Sequence, residues 1–221
     1  MKKILVIAPH PDDETIGCGG TILRHIKNGD KVSCIFVTKL KKNNKWPEKV
    51  VKKKEEEILK VKNFYKFNFF KRLDFLPTQL DKISFNKLVF EFSELFSVIK
   101  PEVIYIPYIN DIHTDHKIVS KAVMSSAKWF RLNSIKQINM YETISETNFN
   151  FMEEKSFQPN LFIDISKFLE KKIKICNFYK TEFRKHPFPR SKESIKALAI
   201  LRGSQSGYKA AESFKVVFKK Y

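Results

Sequence analysis

Residues 4–14 read Ile4-Leu5-Val6-Ile7-Ala8-Pro9-His10-Pro11-Asp12-Asp13-Glu14. The apolar half is rich in β-branched residues and is bounded by proline, the pattern of a buried strand. Pro9 and Pro11 end the strand and stiffen its exit. His10, Asp12, Asp13 and Glu14 are thereby expected together in one tight loop at the carboxyl end of a first strand. Open α/β sheets bind their ligands at that edge. Crowding so many ionisable groups is costly unless a metal or a substrate compensates them.

Working outward, Thr15–Asn28 has Ile22, Leu23 and Ile26 at helical spacing, and Gly29-Asp30 supplies a stop. Val32–Thr38 is the next strand, and the right-handed crossover rule predicts that it pairs parallel to the first. Pro47 suits a first helical position, and the run Lys52-Lys53-Lys54-Glu55-Glu56-Glu57 predicts a solvated helix face. Lys41–Lys45 predicts an exposed loop. Phe69–Phe75 is expected as a third strand, Ile83–Ile99 as an amphipathic helix and Pro101–Tyr108 as another buried strand. That strand runs into the polar loop Asn110–His116, with a helix over Ile118–Phe130. Ile135–Ile144 and Leu161–Ile165 predict two further strands. Ser166 is expected to cap a helix reaching Phe183, and Ser191 a helix through Leu201. Alternating strands and helices predict an α/β fold: a Rossmann-like, doubly wound, mostly parallel sheet with helices on both faces. With no repeat and no Pro/Gly/Ser-rich linker, residues 1–221 are expected to form one domain.

The formal net charge is +18, yet only six of the 42 basic residues are arginine. Base readout and bidentate phosphate clamps lean on arginine, so no nucleic-acid partner is expected. The excess of Lys, Phe, Ile and Asn has the look of a chain-wide compositional drift. The basic surface still suits an anionic substrate or peripheral contact with an anionic membrane. No apolar run approaches the roughly 18 residues that span a bilayer. Met1-Lys2-Lys3 resembles the start of an export signal, but the apolar run after it is short and charges follow at once. Three cysteines without a CxxC pair argue against a disulfide framework, and a cytoplasmic location is expected.

Three of the five histidines, His10, His113 and His116, lie in the two strand-end loops. Adjacent strands would bring the loops together, so that His10, one aspartate of the pair and His116 make a two-His, one-carboxylate metal site with an open position. Zinc suits such a set, as do Fe²⁺ and other divalent ions. Neighbouring side chains point differently, so one aspartate can ligate while the other faces a substrate. Taken singly, a His-Pro-Asp is a turn with an Asx hydrogen bond, and Asp115 or Glu14 is a helix cap. Two ligand-rich loops at two strand ends call for a joint explanation.

Ala8-Pro9-His10-Pro11-Asp12-Asp13-Glu14, followed by Gly17-Cys18-Gly19-Gly20-Thr21, resembles the hallmark of the LmbE/PIG-L zinc deacetylases. His113-Thr114-Asp115-His116 resembles their second motif, usually His-Pro-Asp-His. Tyr141-Glu142, Arg202-Gly203, Gly207 and Ala210-Ala211-Glu212-Ser213-Phe214 continue the likeness in order. The resemblance implies that His10, Asp13 and His116 are zinc ligands and that Asp12 is the general base. It implies that His113 stabilises the oxyanion, with Asp115 holding and charging it. Glu14 would support the helix start. The implied reaction is hydrolysis of an N-acetyl group on a glucosamine-type sugar, in glycoconjugate or sugar-thiol biosynthesis. Family members often carry a substrate-binding arginine in the helix after the second strand, where this chain offers Lys52, Lys53 and Lys54. Two alternatives accompany this expectation: an amidohydrolase acting on another acylated substrate, and a noncatalytic basic protein that binds nucleic acid or lipid.

Overall fold

The computed structural model describes residues 1–43 and 45–221. Asn44, within the exposed loop expected at 41–45, lies outside the described residues. Seven strands form one sheet in the order β3-β2-β1-β4-β5-β7-β6. These are β1 (Lys3–Ala8), β2 (Lys31–Thr38), β3 (Phe69–Phe75), β4 (Val103–Pro107), β5 (Gln137–Tyr141), β6 (Leu161–Asp164) and β7 (Ala211–Lys219). β1 pairs parallel with both β2 and β4, and the parallel ladder extends outward to β3 and β5. β7 runs antiparallel to its two neighbours, β5 and β6. Strand order reverses at β1/β4, which opens the crevice where such sheets place ligands.

The apolar run of β1 is buried on both faces. Leu5 and Ile7 join one core with Leu88, Phe92 and Phe96 of α3 (Phe85–Ile99) and Val119 and Val123 of α4 (Thr114–Ser126). Ile4, Val6 and Ala8 join the opposite core with Cys18 and Ile22 of α1 (Asp13–Lys27) and Ile58 and Val61 of α2 (Glu48–Tyr65). Period-two alternation thus feeds two helical layers, the arrangement that makes a parallel strand apolar throughout. The three cysteines are buried free thiols. Among the described residues, no helix is long and apolar enough to cross a membrane.

Several elements differ from the sequence expectation. α1 starts at Asp13 and α4 at Thr114, so both polar loops are shorter than their composition implies. Pro47 stands just ahead of α2, and Lys54 and Glu57 of that helix are buried rather than solvated. They turn inward because Glu182 and Thr181 meet them there. Ser166 does not cap a long helix: its hydroxyl and its N–H both donate to Asp164 Oδ1. The helix that follows, α5, spans only Leu169–Cys176 and ends as its bonds tighten to the i−3 carbonyls. Residues 177–190 are left to fold as turns. β7 escaped prediction because its buried run Ala211–Phe214 includes Glu212 and Ser213 while Val217 is exposed, so it shows neither an apolar run nor a clean alternation. Ser191 does cap the last helix, α6 (Lys192–Ser204), accepting the Ser194 N–H at 3.1 Å.

The glycines of α1 let other groups approach its backbone. A methyl group on Gly17 would lie 2.3 Å from the Tyr141 ring, and one on Gly20 2.6 Å from Ile165. In mid-helix, the N–H groups of Gly20 and Thr21 donate to the Glu212 carboxylate at 2.8 and 2.7 Å. Lys172 Nζ donates both to Glu212 and to the carbonyl of Ile16, each at 2.7 Å. A buried ion pair is thereby docked onto α1 from α5 and β7. Replacing Glu212 by alanine strands a buried ammonium and should cost about 3–5 kcal/mol of stability. A urea midpoint that does not fall would contradict this.

Candidate active site

The site forms where β1 and β4 end side by side. β1 delivers His10 and Asp12, and α1 begins at once with Asp13. After β4, Asp111 and His113 precede α4, whose first turn carries Asp115 and His116. The three imidazoles of His10, His113 and His116 form a triangle with centroids 4.5, 5.4 and 5.3 Å apart.

The two aspartates diverge. Asp13 Oδ2 accepts the His10 N–H at 2.9 Å and lies 3.3 Å from His10 Nδ1 and 3.2 Å from His116 Nε2. Asp12 turns the other way, and its Oδ2 accepts from Arg190 Nη1 at 2.6 Å. Its backbone sits at φ 142°, a region that side chains rarely adopt. Three bonds hold it there: its carbonyl accepts from Thr15 and Ile16, and its N–H donates to Glu14 Oε2 at 3.0 Å. Glu14 is fixed in turn by donation from the Tyr179 hydroxyl at 2.8 Å. It therefore supports the helix start from behind, away from the cavity.

His10, Asp13 and His116 place one ligand atom each within 4.8 Å of one another; so do His10, His113 and Asp115. Hydrogen bonding separates the two sets. Asp13 Oδ1 and His116 Nε2 are buried with no hydrogen-bond partner among the described residues. By contrast, the Asp115 carboxylate accepts the N–H groups of Thr78 at 2.7 Å and Leu80 at 3.3 Å. Its own N–H occupies His113 Nδ1 at 3.1 Å. His116 Nδ1 lies 2.8 Å from Asp111 Oδ2, which leaves the Nε2 lone pair for a cation. A carboxylate behind a ligand histidine commonly fixes its tautomer and raises its basicity. His10, Asp13 and His116 thus fit a divalent metal. Asp111→Ala should weaken metal affinity about 10–100-fold; competition with a chromogenic chelator measures it.

Electrostatics agree. Burial pulls the His116 pKa down, but Asp13 and then Asp111 outweigh it and raise the group to about 10. For His10, burial is likewise overcome by Asp115 and Asp13, and the pKa rises to about 9. Asp13 is held well below the usual carboxylate range, chiefly by His116 against the penalty of burial. This field is strongly negative and calls for a cation. His113 differs: burial and the neighbouring imidazoles lower it to about 4, so it is neutral. Since its Nδ1 accepts from Asp115, its hydrogen resides on Nε2. Asp115 therefore holds His113 through the backbone; its carboxylate, 3.0 Å from His10 Nε2, pulls His113 upward but is outweighed by burial and the two imidazoles. Burial raises Asp12 to about 8 against the pull of Arg190.

His10, Asp12 and His113 open onto a cavity of about 440 Å³, whose other walls include Trp46, Lys54, Glu182 and Arg190. Sequence reasoning missed Arg190. Its guanidinium also donates to Ser145 Oγ at 2.6 Å and Glu146 at 3.2 Å. Lys54 Nζ meets Glu182 at 2.5 Å, so of the three lysines noted in α2 this one is paired at the cavity wall. The usable signal was the scarcity of arginine. In a chain dominated by lysine, Arg190 and Arg202 persist where a planar fork is used, Arg202 gripping both oxygens of Glu142 at 2.7 and 2.6 Å.

Residues 5–127 match the family described as PIG-L: GlcNAc-PI de-N-acetylase. The diacetylchitobiose deacetylase of Thermococcus kodakarensis is 25% identical over 98% of this chain and 84% of its own length. Among solved structures, the N,N'-diacetylchitobiose deacetylase of Pyrococcus horikoshii aligns with a TM-score of 0.79 at 19% identity, covering 98% of this chain and 84% of that one. GalB, the 4-carboxy-2-hydroxymuconate hydratase of Pseudomonas putida KT2440, aligns with a TM-score of 0.76 at 16% identity over 100% and 98%.

Proposed function

Because the chain belongs to the PIG-L family, we propose that it is a metal-dependent hydrolase that removes the acetyl group from an N-acetylglucosamine-type sugar. One observation carries this: the adjacent aspartates are divided, Asp13 toward His10 and His116, and Asp12 toward the cavity beside His113. A hydratase also uses this fold, so the reaction class rests on that division and on the deacetylase relatives.

His10, Asp13 and His116 would hold the ion, with zinc the first candidate and Fe²⁺ the second. When bound there, the ion would supply Lewis acidity, the property that lowers the pKa of water toward about 7. Asp12 takes the proton of the attacking water and hands it to the departing amine. Burial raises the Asp12 carboxyl, which helps it keep the proton between the two transfers. His113 Nε2–H donates to the oxygen of the former amide carbonyl as negative charge develops there. Asp115 keeps that nitrogen protonated by filling Nδ1. Arg190 keeps Asp12 aimed at the cavity. The products are acetate and a free amino sugar, made at a cytoplasmic location.

The test is acetate release from a panel: N-acetylglucosamine, a nucleotide-linked form, inositol and malate glycosides, and a short chitooligomer. Each is assayed with zinc and after chelation. Release that chelator abolishes and zinc restores is the expected result. Failure with every member would remove the small acetamido sugars as substrates.

A further inference from the structure

The turns at 177–190 face two ways. Inward, the Tyr179 hydroxyl donates to Glu14, and Thr181 donates through both its N–H and its hydroxyl to Glu57. Glu182 meets Lys54, and Arg190 ends the series on Asp12. Outward, the same turns border an open groove of about 530 Å³ between α2, α5 and the start of α6.

Four lysines line this groove against one carboxylate, Glu170. They come from separate elements: Lys60 from α2, Lys174 from α5, Lys180 from the turns and Lys192 from the first position of α6. None of them pairs with a carboxylate among the described residues, whereas Lys41 meets Asp74, Lys42 and Lys52 meet Glu48, and Lys136 meets Glu102. Like charges gathered around one concavity repel each other and concentrate anions there. Lys192 stands at the end of α6 where a cation is disfavoured, so it does not serve that helix. Lys180 and Lys192 also bracket the segment that carries Glu182 and Arg190. A ligand touching both lysines would join the two ends of that segment from outside, while Glu182 and Arg190 hold its interior to Lys54 and Asp12.

We propose that the groove binds a polyphosphate group, free or carried on a nucleoside, and that its occupancy steadies residues 181–190 against the catalytic cavity. Linked phosphates can reach cations on several elements at once, which a single phosphate cannot. A lysine ammonium meets phosphate as a point charge and imposes no fixed angle, so the four can share one flexible polyanion. The site lies apart from the catalytic cavity and stands whether or not the substrate is an acetamido sugar.

Calorimetric titration of the full chain with inorganic tripolyphosphate, orthophosphate and a nucleoside triphosphate tests the site. Tripolyphosphate should bind more tightly than orthophosphate. The double variant Lys174→Gln, Lys192→Gln should weaken it about tenfold, each exposed ion pair being worth up to about fivefold. The control Lys82→Gln, Lys87→Gln removes the same charge beside α3, on the opposite face of the sheet, and should change binding by less than about twofold. All three proteins keep His10, Asp13 and His116, so chelation by the titrant cancels between them. A nucleoside triphosphate that binds more tightly than tripolyphosphate identifies the nucleoside-borne source, and equal affinity identifies the free group. Hydrogen exchange over 181–190 should slow when tripolyphosphate binds the wild type and stay unchanged in Lys174→Gln, Lys192→Gln. No binding, or an equal loss in both double variants, overturns the site and leaves only the attraction of the whole chain's charge. Groove-dependent binding that leaves exchange at 181–190 unchanged overturns the coupling to the cavity.

Discussion

Replacing Asp13 by alanine should strip the protein of its metal and, with it, nearly all acetate release. Asp13 is fully buried, and its Oδ2 lies 3.3 and 3.2 Å from the two imidazoles while Oδ1 is left without a partner. The other carboxylates that meet His10 or His116, Asp115 and Asp111, are each spent on further hydrogen bonds. Even residues standing behind metal ligands are worth about 10–100-fold in affinity, so removing the carboxylate itself should cost more than about 100-fold. Metal content after exhaustive dialysis measures the loss, and circular dichroism separates it from unfolding. A variant that keeps one metal per chain would move the ion to the other geometric group, His10, His113 and Asp115. His116→Ala should behave as Asp13→Ala does.

Asp12→Ala should give the opposite combination: full metal content and turnover reduced by about 10²–10⁴-fold, the usual worth of a general base. Asp12 touches no imidazole; its carboxylate meets Arg190 at 2.6 Å. Its loss therefore leaves the ligand cluster whole while removing the proton acceptor on the cavity side. The pair of variants is diagnostic because the residues are adjacent in sequence. A noncatalytic binding protein has no use for this division, and turnover undiminished in Asp12→Ala would end the assignment of roles. Any salt-sensitive association with nucleic acid that survived both Asp12→Ala and metal removal would support the binding alternative.

Much of this was legible before the fold was known, for a physical reason. Buried parallel strands advertise themselves as apolar runs, and prolines mark where β1 ends. The motif loops then fall at a sheet edge by topology alone. Asp111 stood in view but unassigned, because five residues of spacing do not reveal that its carboxylate turns back onto His116. Arg190 and Glu182 were hidden for a different reason. They lie in turns without periodicity, and their partners are remote in sequence, Asp12 being 178 residues away. Lys54 and Glu57 looked like solvated charge because a run of lysines and glutamates usually is; only the turn at 181–182 explains their burial. β7 was invisible to pattern reading because its buried run carries Glu212 and Ser213, and Glu212 is the residue that serves α1.

The ion pair docked on α1 ties the order of synthesis to the readiness of the site. Asp13 opens this helix and emerges from the ribosome first, yet Gly20 bonds to a glutamate 192 positions later. Until Glu212 has emerged, Lys172 has no counterion and the middle of α1 has no cover from β7. A nascent chain therefore carries its metal ligands long before it carries the scaffold that aligns them. Metal loading at the proposed ligands should then be a late event, coupled to the emergence of β7, and a truncation that removes β7 should behave as a ligand-site mutation although it deletes none of them.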